Sequence, residues 1–116
     1  MFVSNLRDFS PQPVIEGARG VRIRWMINED RGADNFVMRH FEIEPDGHTP
    51  LHTHPWEHEI FILGGEGAII NGDDEKMLKE GDVVFIPRGE RHQFRNTGRD
   101  PFTLLCMIPS KNRCHL

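Results

Sequence analysis

The stretch His52-Thr53-His54-Pro55-Trp56-Glu57-His58 decides the reading of this chain. Its three histidines fall at i, i+2 and i+6, so all three share one parity. Extended backbone sends alternate side chains to opposite faces, and an extended segment here points the three imidazoles the same way. A helix does not, because i and i+2 face apart on it, and Pro55 disfavours helical backbone at His54. Three neutral imidazoles converging on one volume are what a transition metal needs. The competing reading is a polar surface strand that happens to be rich in histidine.

On either side of this stretch the chain reads as short strands and turns. Residues 1–20 carry Pro11, Pro13, Gly17 and Gly20 and form an irregular edge segment, with a short strand near Val14-Ile15. From Val21 the alternation is clean, with Val21, Ile23, Trp25 and Ile27 on one face and Arg22, Arg24 and Met26 on the other. Asn28 to Asn35 is a polar loop. Phe36 to Glu44 alternates again, and the mostly apolar set Val37, Arg39, Phe41 and Ile43 is expected to face inward. That places Arg39 inside, where a guanidinium is costly unless paired or wetted. Either it snorkels to water at the mouth, or it anchors an anionic ligand.

Pro45-Asp46-Gly47 is expected to turn. Glu59 to Leu63 continues the histidine segment as a strand, with Ile60 and Ile62 on the histidine face. Glu66 to Asn71 and Glu75 to Lys79 flank Asn71-Gly72-Asp73-Asp74, a strong hairpin signal. Val83 to Ile86, Arg91 to Asn96 and Phe102 to Ile108 complete the strands. The tail 109–116 is polar and reads as loose, a surface metal contact at Cys114-His115 being only the minor alternative. No segment has a helical period. Strands this short, with turn signals every 8–12 residues, indicate an all-β sandwich or a small antiparallel barrel.

Composition narrows the partners. The 116 residues suit one compact domain spanning 1–116. With 37% hydrophobic residues, stability is expected to draw on a partner subunit as well as the interior. The net charge is −4, without a basic stripe, so nucleic acid has no electrostatic footprint here. No apolar run reaches membrane length, and Met1 to Asp8 lacks a signal-peptide pattern. The expectation is a cytoplasmic protein. Its two cysteines, Cys106 and Cys114, make no disulfide framework and are expected to be reduced.

The fourth histidine comes from Gly81-Asp82-Val83-Val84-Phe85-Ile86-Pro87-Arg88-Gly89-Glu90-Arg91-His92-Gln93-Phe94-Arg95-Asn96. Glycine and proline set tight turns at each end of one strand, aiming the next so that His92 projects inward. With these residues in view, the chain resembles the small single-domain microbial cupins. Residues 81–96 match the second cupin motif through Gly81, Pro87, Gly89, His92 and Asn96. Residues 47–65 match the first through Gly47, His52, His54 and Gly65, with the gap from Gly47 to His52 one residue short. The family's glutamate ligand is replaced: counting on from His54 and back from Gly65 puts His58 in its slot. A four-residue gap would select Glu59 instead, but Glu59 points away from the histidine face.

The arrangement is most similar to the four-histidine, manganese-binding small cupins. That similarity extends to the positions of Arg39, Trp56, Phe94 and Cys106. It implies a jelly-roll barrel and one divalent transition metal per chain, held by His52, His54, His58 and His92. Manganese is favoured, while imidazole also suits Fe, Co, Ni, Cu and Zn. Four neutral ligands leave an ion nearly its full charge and one or two open positions, as a catalytic site needs.

Trp56 either walls the cavity or packs the barrel end. Phe94 lies beside the metal or belongs to the core. Cys106 is a small buried hydrophobe or a thiol that tunes the pocket. His40 and His48 are expected to be solvated or locally hydrogen-bonded, and His115 lies in the tail. The expected function is an oxidoreductase of dioxygenase type acting on a small organic substrate. The alternatives are a non-catalytic small-molecule-binding module and a metal-assisted isomerase or lyase of a small sugar or keto acid. A homodimer is expected, with residues 1–20 pairing across the interface.

Overall fold

The computed structural model describes residues 1–113, so the readings made for Cys114 and His115 lie outside the described residues. The chain is built from β1 (Gln12–Val14), β2 (Arg19–Ile27), β3 (Phe36–His48), β4 (His58–Gly64), β5 (Glu66–Asn71), β6 (Asp74–Lys79), β7 (Val83–Ile86), β8 (Gln93–Asn96) and β9 (Phe102–Pro109). Two single turns of 3-10 helix, Leu6–Asp8 and Glu29–Arg31, are the only helical pieces among the described residues. The strands form one curled antiparallel sheet in the order β6-β5-β8-β3-β9-β4-β7, with β2 and β1 added beside β3. This is the all-β architecture expected from the strand and turn pattern, in the small antiparallel jelly-roll form that the cupin resemblance implies.

Alternation decides which side chains fill the barrel. His58, Ile60 and Ile62 of β4 are buried, while Glu59 and Phe61 are exposed. Phe102, Leu104 and Cys106 of β9 are buried, and Ile43 of β3 joins them in the core. Phe94 and Ile86 close the same cluster. Cross-strand register lines up Trp25, Arg39, Cys106 and Ile60 in one row over β2, β3, β9 and β4. Residues in such a row share a face, so the arginine and the cysteine meet inside the barrel.

Four expectations are corrected. Pro45-Asp46-Gly47 does not end a strand, because β3 runs on to His48. The turn chemistry is absorbed as a bulge: Val21 pairs with Ile43 but Arg19 with His48, and Asp46 takes φ 66°. A Cβ on Gly47 would lie 2.6 Å from the Arg19 carbonyl oxygen, so only glycine fits the bulge. Beyond the bulge β3 changes neighbour and pairs with β8 through His48 and Arg95.

Second, residues 52–57 are not a strand. Only His52 is bridged, to His92. Pro55 has no N–H to give a ladder, yet the inward alternation survives, with Thr53, Pro55 and Glu57 exposed.

Third, His40 is not solvated. It is only 4% exposed, and its Nδ1 has no hydrogen-bond partner. His48, by contrast, is locally bonded, its Nδ1 lying 3.1 Å from the Thr49 carbonyl oxygen.

Fourth, Trp25 and Ile27 are exposed despite sharing parity with buried Val21 and Ile23. Within the sheet, β1 pairs with β2 from Gln12 opposite Ile23 to Val14 opposite Val21.

Candidate metal centre

His52 and His92 come together through the backbone. Each N–H donates to the other's carbonyl, at 3.2 Å from His52 and 3.0 Å from His92. The Gly89 N–H donates to the His54 carbonyl at 2.8 Å, tying the Pro87–Gly89 turn to the histidine loop. Asn96 fixes the far end of β8: its amide donates to the carbonyls of Ile43 and Asp100, and it accepts from the Gly98 N–H. The motif glycines, Pro87 and Asn96 thus hold His92 facing the loop that carries His52 and His54.

The ligand atoms of His52, His54 and His92 all lie within 4.8 Å of one another, a group that can hold a metal ion. The Nε2 atoms of His52 and His54 are 3.1 Å apart. Two nitrogens each about 2.1 Å from one ion and at right angles to it lie about 3.0 Å apart, so this pair fits a shared ion. The group that close has three members rather than four. The His58 ring centroid lies 4.9 Å from that of His92 and 5.1 Å from that of His54. His58 is only 5% exposed, and its Nε2 is buried without a hydrogen-bond partner. A buried polar nitrogen is normally satisfied, so this one has a lone pair to offer to an ion.

The other ring nitrogens are engaged in ways that suit ligation. His92 Nδ1 lies 3.0 Å from the Glu90 carbonyl oxygen and donates to it, which leaves Nε2 as the lone-pair nitrogen. His58 Nδ1 is 3.3 Å from Cys106 Sγ, and Arg39 Nη2 donates to the same sulphur at 2.9 Å. Trp56 stacks on His54 at 4.6 Å with planes only 6° apart, which holds that ring in place.

The histidines are neutral at pH 7. Burial, reinforced by neighbouring histidines and Arg39, pushes His54 from the usual 6.5 down to about 4 and His58 to about 3. His52 and His92 are lowered as well, by burial first. Burial pushes the Cys106 thiol up, against the pull of Arg39.

These residues open on a cavity of about 430 Å³, a volume in the range of small-molecule sites. Arg39, Trp56, Phe94 and Cys106 all line it, as do Trp25 and Phe41, which the sequence marked only as inward strand residues. The signal for Phe41 was its parity with Arg39 on β3, whereas Trp25 comes opposite Arg39 only through the β2–β3 register. The guanidinium carbon of Arg39 sits 5.3 Å from the Trp25 ring and 5.0 Å from that of Phe41. Thr49 was also missed. Its hydroxyl accepts from the Phe94 N–H at 2.8 Å and anchors that strand beneath the cavity.

The match to a cupin domain covers residues 39–108, more than half of the chain. The chain belongs to the cupin family. Among solved cupin-like structures, the polyketide cyclase RemF from Streptomyces resistomycificus superposes with a TM-score of 0.88 at 36% identity, covering 94% of this chain and 79% of that one. A predicted oxalate decarboxylase from Thermotoga maritima gives 0.82 at 27% identity, covering 93% and 98%. By sequence, the 1-methylthio-D-xylulose 5-phosphate methylsulfurylase of Rhodospirillum rubrum is 35% identical over 71 residues, 61% of this chain and 46% of that protein. The chain spans about half the length of curated relatives it matches. Among the described residues no helix is long and apolar enough to cross a membrane.

Proposed function

We propose that this cupin holds one divalent transition metal, manganese first, on His52, His54, His58 and His92, and oxidises a small organic substrate as a dioxygenase-type oxidoreductase. One observation carries the reading: the two Nε2 atoms 3.1 Å apart and the buried, unpartnered Nε2 of His58 belong to four imidazoles gathered at one cavity. When bound, the ion would supply Lewis acidity at nearly full charge and, if redox-active, electron transfer from the substrate to an oxidant such as O2 or a peroxide.

The chain's own residues do the rest. The Glu90 carbonyl and the Cys106 sulphur hold His92 and His58 by their Nδ1 atoms. Trp56 orients His54 by stacking. Phe41, Phe94, Leu104 and Ile108 on the cavity wall exclude water from the substrate. Among the described residues no aspartate or glutamate lines the cavity. The protein therefore offers no carboxylate base, which favours chemistry carried by the bound group.

The test is to load metal-free protein with each candidate metal and follow O2 and peroxide consumption with enol, catechol and alkene substrates. Consumption that needs both metal and substrate is expected. If no metal supports any consumption, the oxidoreductase reading fails.

A second reading draws on the 36% identity to a polyketide cyclase over nearly the whole chain. Here the aromatic-lined cavity holds an open-chain precursor folded for ring closure, with no net oxidation. Ring closure with no O2 or peroxide consumed would favour it over the first.

A further inference from the structure

We infer that Arg39 is the anion subsite of this cavity, and that the ligand is a small carboxylate or enolate with a flat apolar body. The inference deepens the reading of the cavity as the ligand site of a metal-dependent cupin, and rests on it. Arg39 projects from β3 into a wall of rings and aliphatic side chains. Its partners among the described residues are the Cys106 sulphur and the faces of Trp25 and Phe41, and none of the ion pairs includes it. Its Nε is buried with no hydrogen-bond partner, and its Nη1 takes part in none of the hydrogen bonds or ion pairs of the described residues. A guanidinium is a fork of fixed donors matched to a carboxylate, and here part of the fork faces nothing that accepts.

The surroundings say which anion. The cavity contains one permanent cation, neutral imidazoles and no acid, in a chain whose net charge is −4. A divalent ion on the histidines would add to the positive excess. An anionic group is the complement. The rest of the ligand must suit the walls, where Trp25, Phe41, Trp56 and Phe94 supply ring faces and Leu104 and Ile108 aliphatic surface. Beyond the histidines, Arg39 and Cys106, the polar groups of the lining among the described residues are Gln12, Thr49 and the indole N–H groups of Trp25 and Trp56, and the Thr49 hydroxyl is taken by the Phe94 backbone. A sugar would find few partners for its hydroxyls; an aromatic or unsaturated acid needs none beyond its charged end.

Both tryptophans of the chain, Trp25 and Trp56, line this cavity, so intrinsic fluorescence reports its occupancy. The test titrates metal-free protein with 3-phenylpropanoate and with its neutral amide. Wild type is expected to bind the carboxylate about tenfold or more tightly. Arg39→Gln is expected to bind both alike, at the affinity of the amide. In wild type, the Arg39 guanidinium Nη–H resonances are expected to shift with the carboxylate and not with the amide, a readout that does not depend on the variant folding.

Equal affinities in wild type, a preference that survives Arg39→Gln, unmoved Nη–H resonances, or no binding of either compound at millimolar concentration would each overturn the assignment. Metal binding is titrated separately. Carboxylate selectivity without metal binding upholds the subsite and removes the metal-dependent reading. Metal binding with no selectivity does the reverse.

Discussion

Lowering the pH of the metal-free protein from 7 to 5 should destabilise it, and His58 alone sets a calculable part of the loss. In the unfolded chain His58 takes up its proton near the ordinary value of 6.5, whereas in the fold burial holds it down to about 3. As pH falls through that window the unfolded state gains a proton that the folded state refuses, so stability is full above 6.5 and drains away toward 3. Each pH unit well inside the window costs about 1.4 kcal/mol per group. Allowing for partial protonation near 6.5, the step from pH 7 to 5 costs about 2 kcal/mol for His58.

That figure converts to a fall in Tm of roughly 8–12 °C for a domain of this size. His52, His54, His92 and His40 are lowered too, so they act in the same direction. The assay is thermal unfolding by circular dichroism at the two pH values, for wild type and for His58→Phe, which has no proton to refuse. The variant should lose about 2 kcal/mol of the pH dependence whatever its absolute stability. A wild-type Tm that is flat between pH 7 and 5, or an undiminished pH dependence in His58→Phe, would refute the description of His58 as a buried neutral imidazole.

Asn96→Ala should cost about 2–4 kcal/mol in urea unfolding, because it strands the Ile43 carbonyl and releases the loop that ends at Asp100. A loss below about 1 kcal/mol would mean water replaces those bonds freely. A homodimer is proposed from the apolar side chains left exposed on β4 and β7, Phe61, Val83 and Phe85. Light scattering at micromolar concentration should give twice the chain mass, and a monomer there would overturn the proposal.

The parts of the fold legible in the sequence were those governed by period and turn chemistry. The parity of His52, His54 and His58 gave the inward face even though the segment turned out to be a loop, because alternation needs extended backbone but not a ladder. The hairpin at Asn71 to Asp74 is paired as its sequence indicates. The bulge at Pro45–Gly47 was not legible, since turn residues look the same whether they end a strand or interrupt one. His40 lay on the polar parity of its strand, and its burial depends on what covers that strand's outer surface, which no local pattern encodes. The contact among Arg39, Cys106 and His58 is likewise a product of register across three strands, separated by dozens of residues in sequence.

The most direct test of the account is metal analysis of protein purified without an affinity tag or added metal, for wild type and His58→Ala. About one equivalent of a divalent transition metal per chain is expected in wild type, with most of it lost from the variant. Wild type without bound metal, or a His58→Ala protein that retains its full equivalent, would contradict a centre built on four histidines.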